Sequence, residues 1–215
     1  MSKFISMEEA VAKVESGMTI MMGGFLGVGS PNSLVEALLK TDVKDLTVIT
    51  NDTAFAHIGV GKLIAEHRVV KIITSHIGTN TATGELYHAG ELEIEFVPQG
   101  TLIERIRCAG AGLGGILTPT GLGTVVEEGK QVIHSDGKDY LLEKPLRAQI
   151  ALLGASTSDE EGNLYFRGTS RNFNSMMAMA ADTVIAEVKN IVKTGEIQPE
   201  LVHTQAIFVD YVIKA

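Results

Sequence analysis

The sequence predicts an α/β fold: an open, mostly parallel sheet flanked by helices, with a β-rich insertion near residues 124–147. Three observations predict it. Short apolar or β-branched runs alternate with helical patterns along most of the chain, the arrangement of parallel strands joined by covering helices. The first strand runs into a glycine-rich loop and then a helix. Between Thr124 and Arg147 the helical spacing stops and short extended pieces take over.

Each element follows in order. "SMEEAVAKVE" opens with Ser6 and, three residues on, Glu9, the spacing of a capping box at a helix start. "MTIMM" is a strand, "PNSLVEALLK" an amphipathic helix with Pro31 in its first turn, and "LTVIT" a β-branched strand. "KLIAEH" continues as helix, "VVKIIT" as strand, "TGELYHAGEL" as a looser helix, "EIEFVP" as strand and "GTLIERIRCA" as helix. In the insertion, "TVVEEGK", "QVIHSDG" and "DYLLEKPL" read as extended pieces, with Asp136-Gly137 a tight-turn signal. "AQIALLGAS", the end of "DEEGNLYF", "DTVIAEV" and "HTQAIFVDYVIK" are read as strands and "SRNFNSMMAMAA" as a helix, with no internal repeat or low-complexity linker.

With 215 residues, the chain fits one domain spanning 1–215. No apolar run approaches the roughly 18 residues of a membrane span, and "MSKFISMEEA" turns acidic where a signal peptide needs a hydrophobic stretch. A cytoplasmic protein without a membrane partner is expected. A net charge of −8 with no Lys/Arg cluster argues against nucleic acid. The single cysteine, Cys108, excludes an internal disulfide and reads as a small buried hydrophobe. The histidines, at 57, 67, 76, 88, 134 and 203, show no metal-ligand spacing, so no metal is expected.

Two glycine-rich stretches compete as ligand loops. "GAGLGG", residues 110–115, satisfies G-x-G-x-x-G, but a dinucleotide cradle needs a strand before it, and here a helix precedes it. "MMGGFLGVGSPNSLVEALL" is the stronger feature: a strand runs into Gly23 and Gly24 and a helix begins near Pro31. Backbone N–H groups and a helix N-terminus there suit an anion or a carbonyl oxygen, although the same glycines also make a plain strand-to-helix turn. Asn51 and Gln99 each follow a predicted parallel strand, where ligands of open α/β sheets bind. Their amides can donate to an oxyanion but not act as acid or base.

Other polar groups have plainer readings. Glu104, Arg105 and Arg107 on a helix and Glu127-Glu128 beside a turn are solvated faces or ion pairs; Met176, Met177 and Met179 are core filling; Asn172 and Asn174 are helix caps beside Arg171. No G-x-S-x-G supports a serine triad.

Taken together, "GMTIMMGGFLGVGSP", "TVITNDTAF", "TSHIGTN", "FVPQGTLIERIRCAGAGLGGILTPTGLGTVVEEGK" and "TSRNFN" resemble, in the same order, the α subunit of class I coenzyme A-transferases of the short-chain acetate/butyrate/acetoacetate type. The resemblance covers nearly the whole chain, departing at Ser16, where the signature carries an acidic or amide residue. It implies a CoA-transferase active only with a β subunit, in an α2β2 or higher hetero-oligomer, whose interface forms the active site. It also implies ping-pong chemistry through a glutamyl-CoA thioester, with no cofactor beyond the CoA substrate. The family's nucleophilic glutamate sits in Ser-Glu-Asn-Gly on the β subunit, and that string is missing here. By the resemblance Asn51 is an oxyanion donor, Gln99 lies near the reacting carbonyl, and Gly23, Gly24 and Phe25 border the acyl group. "GAGLGGILTPTGLGT" would be a loop shaping the floor of the site and the subunit contact.

Alternatives of other classes are a sugar-phosphate binder or isomerase of the same fold and a non-catalytic acyl-CoA-binding module. The first needs a Lys or Arg near the glycine loop, and Met21 to Leu39 contains neither.

Overall fold

In the computed structural model, which describes residues 3–215, the alternating strands assemble into one sheet. Its central strands are β1 (Thr19–Met22), β2 (Leu46–Ile49), β3 (Val69–Thr74) and β4 (Glu93–Phe96), with β8 (Ala148–Asp159), β10 (Ala181–Val192) and β11 (Tyr211–Lys214) on the other side. The spatial order is β11-β10-β8-β1-β2-β3-β4, parallel throughout, and the short β9 (Leu164–Tyr165) folds back antiparallel on β8. The chain builds outward from β1 to β4 and then resumes on the opposite edge of β1 with β8. The order therefore reverses between β1 and β8, the position where open α/β sheets bind ligands.

Both faces of the sheet are covered, which is why its inner strands are apolar almost without alternation. Ile20, Met22, Val48, Ile72, Ile150 and Leu152 point to one buried cluster with α1 (Met7–Val11), α2 (Asn32–Leu39) and α3 (Val60–Ala65). Their neighbours Met21, Ile49, Ile73, Ala151 and Leu153 point to the other, against α5 (Gln99–Gly110) and the single turn α6 (Asn174–Met177). The period of two along each strand thus splits the core into two halves. A further helix, α4 (Thr81–His88), connects β3 to β4. Among the described residues, no helix is long and apolar enough to cross a membrane.

The expected capping box is present: Ser6 Oγ accepts from Glu9 N and the Glu9 carboxylate accepts from Ser6 N. Pro31 is the residue before the helix rather than its first turn. Ser16, the departure from the signature, accepts from Lys44 N at 3.0 Å, remote from the loop.

The insertion is a three-stranded antiparallel sheet of β5 (Ile116–Thr118), β6 (Val132–Ser135) and β7 (Lys138–Glu143), ordered β5-β7-β6. It begins earlier than residue 124, and "TVVEEGK" is not extended. Thr124 Oγ1 accepts from Val126 N and starts a 3-10 turn over Val125–Glu127, where Val125 is 79% exposed and no strand pairs with it. Asp136 and Gly137 both take positive φ, as the tight turn requires.

Two long elements read from the sequence shorten. "SRNFNSMMAMAA" contains only the end of a 3-10 turn over Gly168–Arg171 and the one-turn α6, because the backbone leaves helical geometry at Asn172, with φ +20°. Of "HTQAIFVDYVIK", only Tyr211–Lys214 is strand; Ala206–Phe208 is a 3-10 turn.

"GAGLGG" follows α5, as expected, and its role is helix termination. Leu113 N donates to Cys108 O and Gly112 N to Ala109 O, with Gly112 at φ +70°, the paired bonds of a Schellman motif. Cys108 is fully buried, with Sγ 3.3 Å from Leu113 O.

Candidate active site

The strand ends carry the polar chemistry. β1 delivers Gly23, whose N–H donates to Leu152 O at 3.0 Å. A Cβ on Gly23 would lie 1.8 Å from Asn174 Oδ1, so only glycine fits. Gly24 adopts φ +136° and donates its N–H to Asn172 Oδ1 at 3.3 Å. The chain then reverses: Phe25 and Val28 exchange both backbone hydrogen bonds at 2.9 Å, with Leu26 at φ +49° and Gly27 at φ +84° between them. Positive φ at a leucine costs about 1–3 kcal/mol and persists only where the surroundings enforce it. Here the Leu26 N–H is held by both carboxylate oxygens of Asp52, at 3.2 and 3.1 Å.

A similar reversal recurs after β2, where Phe55 bridges Ile58. Phe25 and Phe55 are 40% and 38% exposed, so the two loops place aromatic rings at the rim. The two turns share the pattern Phe-x-x-Val/Ile-Gly, at Phe25 to Gly29 and Phe55 to Gly59, too short a stretch to stand out as a repeat.

Behind the glycine loop stand Asn172 and Asn174. Asn172 Nδ2 donates to Val28 O at 2.9 Å, and Asn174 Nδ2 donates to Gly29 O at 3.0 Å while its Oδ1 accepts from Gly154 N at 3.3 Å. They brace the loop rather than cap a helix. Arg171 forms no ion pair among those of the described residues.

Asn51 lies just past β2 and Gln99 opens α5, and the fold joins them: Gln99 Nε2 donates to Asn51 Oδ1 at 2.9 Å. Ser75 Oγ lies 3.4 Å from the same oxygen and donates to Asn51 O at 2.6 Å. Asn51 Nδ2 is 3.4 Å from Asp52 Oδ2. Asn51 is 1% exposed, while Gln99 is exposed and lies over it. Hydrogen bonds join this pair to the glycine loop through Asp52. Asp52 and Ser75 were missed in the sequence, although both follow strand ends; their partners lie 24 to 26 residues away.

On the other side of the loop, at the β1/β8 reversal, a cavity of about 590 Å³ is lined by Ser30, Ser33, Ser156, Arg167 and Lys189, among others. No cation occurs between Met21 and Leu39, yet the fold brings two from residues 167 and 189. In the same wall Glu187 is buried, its carboxylate accepting from Leu34 N at 2.7 Å and so satisfying the N-terminus of α2, which has no side-chain cap of its own. Burial pushes the Glu187 carboxyl above the usual carboxylate range, against the opposing pull of the Leu34 and Ser33 amides.

The other charged groups are structural. Arg105 is buried, donating to Glu95 at 2.9 Å and to Lys144 O at 2.8 Å, with Glu143 3.7 Å away. Arg107 pairs with Glu104 on the surface. Met177 is fully buried, in line with core filling.

The model of the family described as "Coenzyme A transferase" matches residues 4–215. The chain belongs to the coenzyme A transferase family. It is 53% identical over 212 residues to the "Acetate CoA-transferase subunit alpha" of Escherichia coli K12, covering 99% of this chain and 96% of that protein. It is 48% identical over 213 residues to the "Acetoacetyl-CoA:acetate/butyrate CoA transferase alpha subunit" of Clostridium acetobutylicum, covering 99% and 98%. Among solved structures, glutaconate coenzyme A-transferase from Acidaminococcus fermentans superposes with a TM-score of 0.88 at 20% identity, over 100% of this chain and 76% of that one. An acyl-CoA transferase from Escherichia coli O157:H7 superposes at 0.85 and 23%, and this chain spans 47% of its length. At such identities the superpositions establish the α/β fold. Family membership removes the sugar-phosphate isomerase alternative, which the absence of a nearby cation in the sequence had argued against on a ground the fold does not support.

Proposed function

We propose that this coenzyme A transferase chain is the α subunit of an enzyme that moves CoA between a short-chain acyl-CoA, such as acetyl-, butyryl- or acetoacetyl-CoA, and a free carboxylate. The relatives' names as alpha subunits support a β-subunit partner. One observation carries the further assignment of the nucleophile to that partner: Asp52, the carboxylate at the Asn51–Gln99 pair, is 4% exposed and spends its oxygens on Leu26 N, Ala54 N and Asn51 Nδ2. A carboxylate so engaged is a poor attacking group.

In this reading a glutamate oxygen of the β subunit adds to the acyl-CoA carbonyl and expels CoA-S⁻, forming an acyl-glutamyl anhydride. CoA-S⁻ then attacks the glutamyl carbonyl, releasing the first carboxylate and leaving a glutamyl-CoA thioester. The incoming carboxylate reverses these steps. Gln99 and Asn51 donate to the oxyanion of the tetrahedral species through the amide N–H groups not taken by Asn51 Oδ1 and Asp52. Gly23, Gly24 and Phe25 border the acyl group, and the cavity with Arg167 and Lys189 gives an anionic substrate a complementary wall. No cofactor is needed beyond the CoA thioester, which is substrate. The chain works in an α2β2 or higher assembly in this reading, with the site completed at the α/β interface.

The test is CoA exchange between acetyl-CoA and butyrate, measured for the purified chain alone and for the complex recovered with it from its native cells. Activity in the complex and none in the isolated chain is expected. Turnover by the isolated chain would overturn the assignment of the nucleophile to a partner.

A further inference from the structure

The side chains of Asn51 and Gln99 are amides, and an amide presents a donor at one end and an acceptor at the other. Which end faces the substrate decides whether an oxyanion is stabilised or repelled, so some neighbour must set the orientation. Asp52 has the chemistry for it. A carboxylate only accepts, and this one is fixed before Asn51 is considered: Ala54 N donates to Oδ1 at 2.7 Å, and Leu26 N lies 3.2 and 3.1 Å from the two oxygens. Oδ2 then faces Asn51, at 3.4 Å from Nδ2. Turning the Asn51 amide over would set Oδ1 against the carboxylate and Nδ2 against the Gln99 Nε2 donor that now reaches Oδ1 at 2.9 Å. Both new contacts would be like against like.

We propose that Asp52 is a positioning residue that fixes the polarity of the Asn51 and Gln99 amides, and thereby keeps N–H groups available to the reacting carbonyl. It touches no substrate. Its carboxylate takes one Nδ2 hydrogen of Asn51, Asn51 Oδ1 takes one Nε2 hydrogen of Gln99 with Ser75 Oγ 3.4 Å from the same oxygen, and each amide keeps its second N–H for the carbonyl. The anchoring of Leu26 in its left-handed conformation by the same carboxylate ties this orientation to the glycine loop. The inference rests on the proposed oxyanion role of the two amides.

The experiment is a double-mutant cycle in the assembled complex, with CoA exchange between acetyl-CoA and butyrate as the readout. Asp52→Asn is isosteric but replaces one acceptor with a donor. In the presence of Asn51 it is expected to lower kcat by about tenfold or more; in an Asn51→Ala background it should lower kcat by less than about threefold, because groups acting through one another are non-additive. A merely structural Asp52 would reduce kcat by the same factor in both backgrounds, and that result, or an unchanged kcat for Asp52→Asn, overturns the proposal. If the variant complex does not assemble, Asn-selective 15N labelling of the wild-type complex tests the same point. The Asn51 side-chain signal, identified by its loss in Asn51→Ala, is expected to show one amide proton protected from exchange, and free exchange of both overturns it. A wild-type complex without transferase activity would instead refute the proposed function.

Discussion

Gln99 Nε2 donates to Asn51 Oδ1 at 2.9 Å, across 48 residues of sequence, and in doing so covers an amide that is itself 1% exposed. One residue ends a strand and the other begins a helix two strands away. Their convergence is a property of the parallel sheet, whose strand ends all open on one edge.

If the Asn51 amide stabilises the oxyanion, Asn51→Ala in the assembled enzyme lowers kcat by about 10² or more, the usual effect of losing one such donor. Steady-state CoA exchange checks it. A change under about threefold would remove the assignment.

Gly24 stands at φ +136°, and a Cβ there would lie 2.2 Å from Ser30 Oγ. Ser30 can rotate away, but the backbone angle remains costly, so Gly24→Val displaces the loop. A fall of about 10² in kcat/KM for acyl-CoA is expected from a displacement of this kind, with the complex still assembling. Unaltered acyl-CoA kinetics would show that the loop does not border the acyl group.

Arg105 and Glu143 fasten α5 to the insertion, with side chains only 10% and 2% exposed. Arg105→Leu leaves Glu143 paired with Lys130 but takes the donor from Lys144 O and Glu95, and should cost about 1–3 kcal/mol, the range for a buried acceptor left unsatisfied. Urea unfolding measures it. A loss under about 0.5 kcal/mol would show that these contacts do not hold the insertion.

His203 accepts from Phe166 N at 3.1 Å through Nδ1, a bond that needs the neutral ring at that nitrogen. Desolvation by burial, followed by the charge of Arg171, lowers its pKa below the ordinary 6.5. The folded state therefore binds fewer protons than the unfolded one, so this contribution is present above pH 6.5 and is lost as pH falls through the lowered value. Asn at this position keeps an acceptor but does not titrate. Melting curves between pH 7.5 and 5 should fall more steeply for the wild type than for His203→Asn, on the order of a few degrees at most for a partly exposed group; parallel curves would exclude the effect.

The sheet and its covering helices are legible in the apolar pattern of the chain. Apolar periodicity is a local property, so "LTVIT", "VVKIIT" and "GTLIERIRCA" declare their elements without their neighbours. The sequence also marked Asn51, Gln99 and the Gly23–Gly24 loop, because a polar residue or a glycine just after a strand stands out within a few positions. The remaining contacts join partners far apart along the chain and emerge from the fold. Asn172 and Asn174, read as caps, brace a loop roughly 145 residues away. Asp52 reaches Leu26, Glu187 reaches Leu34, and Arg167 and Lys189 come to a loop whose own sequence has no cation. A side-chain hydrogen bond acts over about 3 Å, and which atoms lie within that distance follows from strand order and register, which local patterning does not encode.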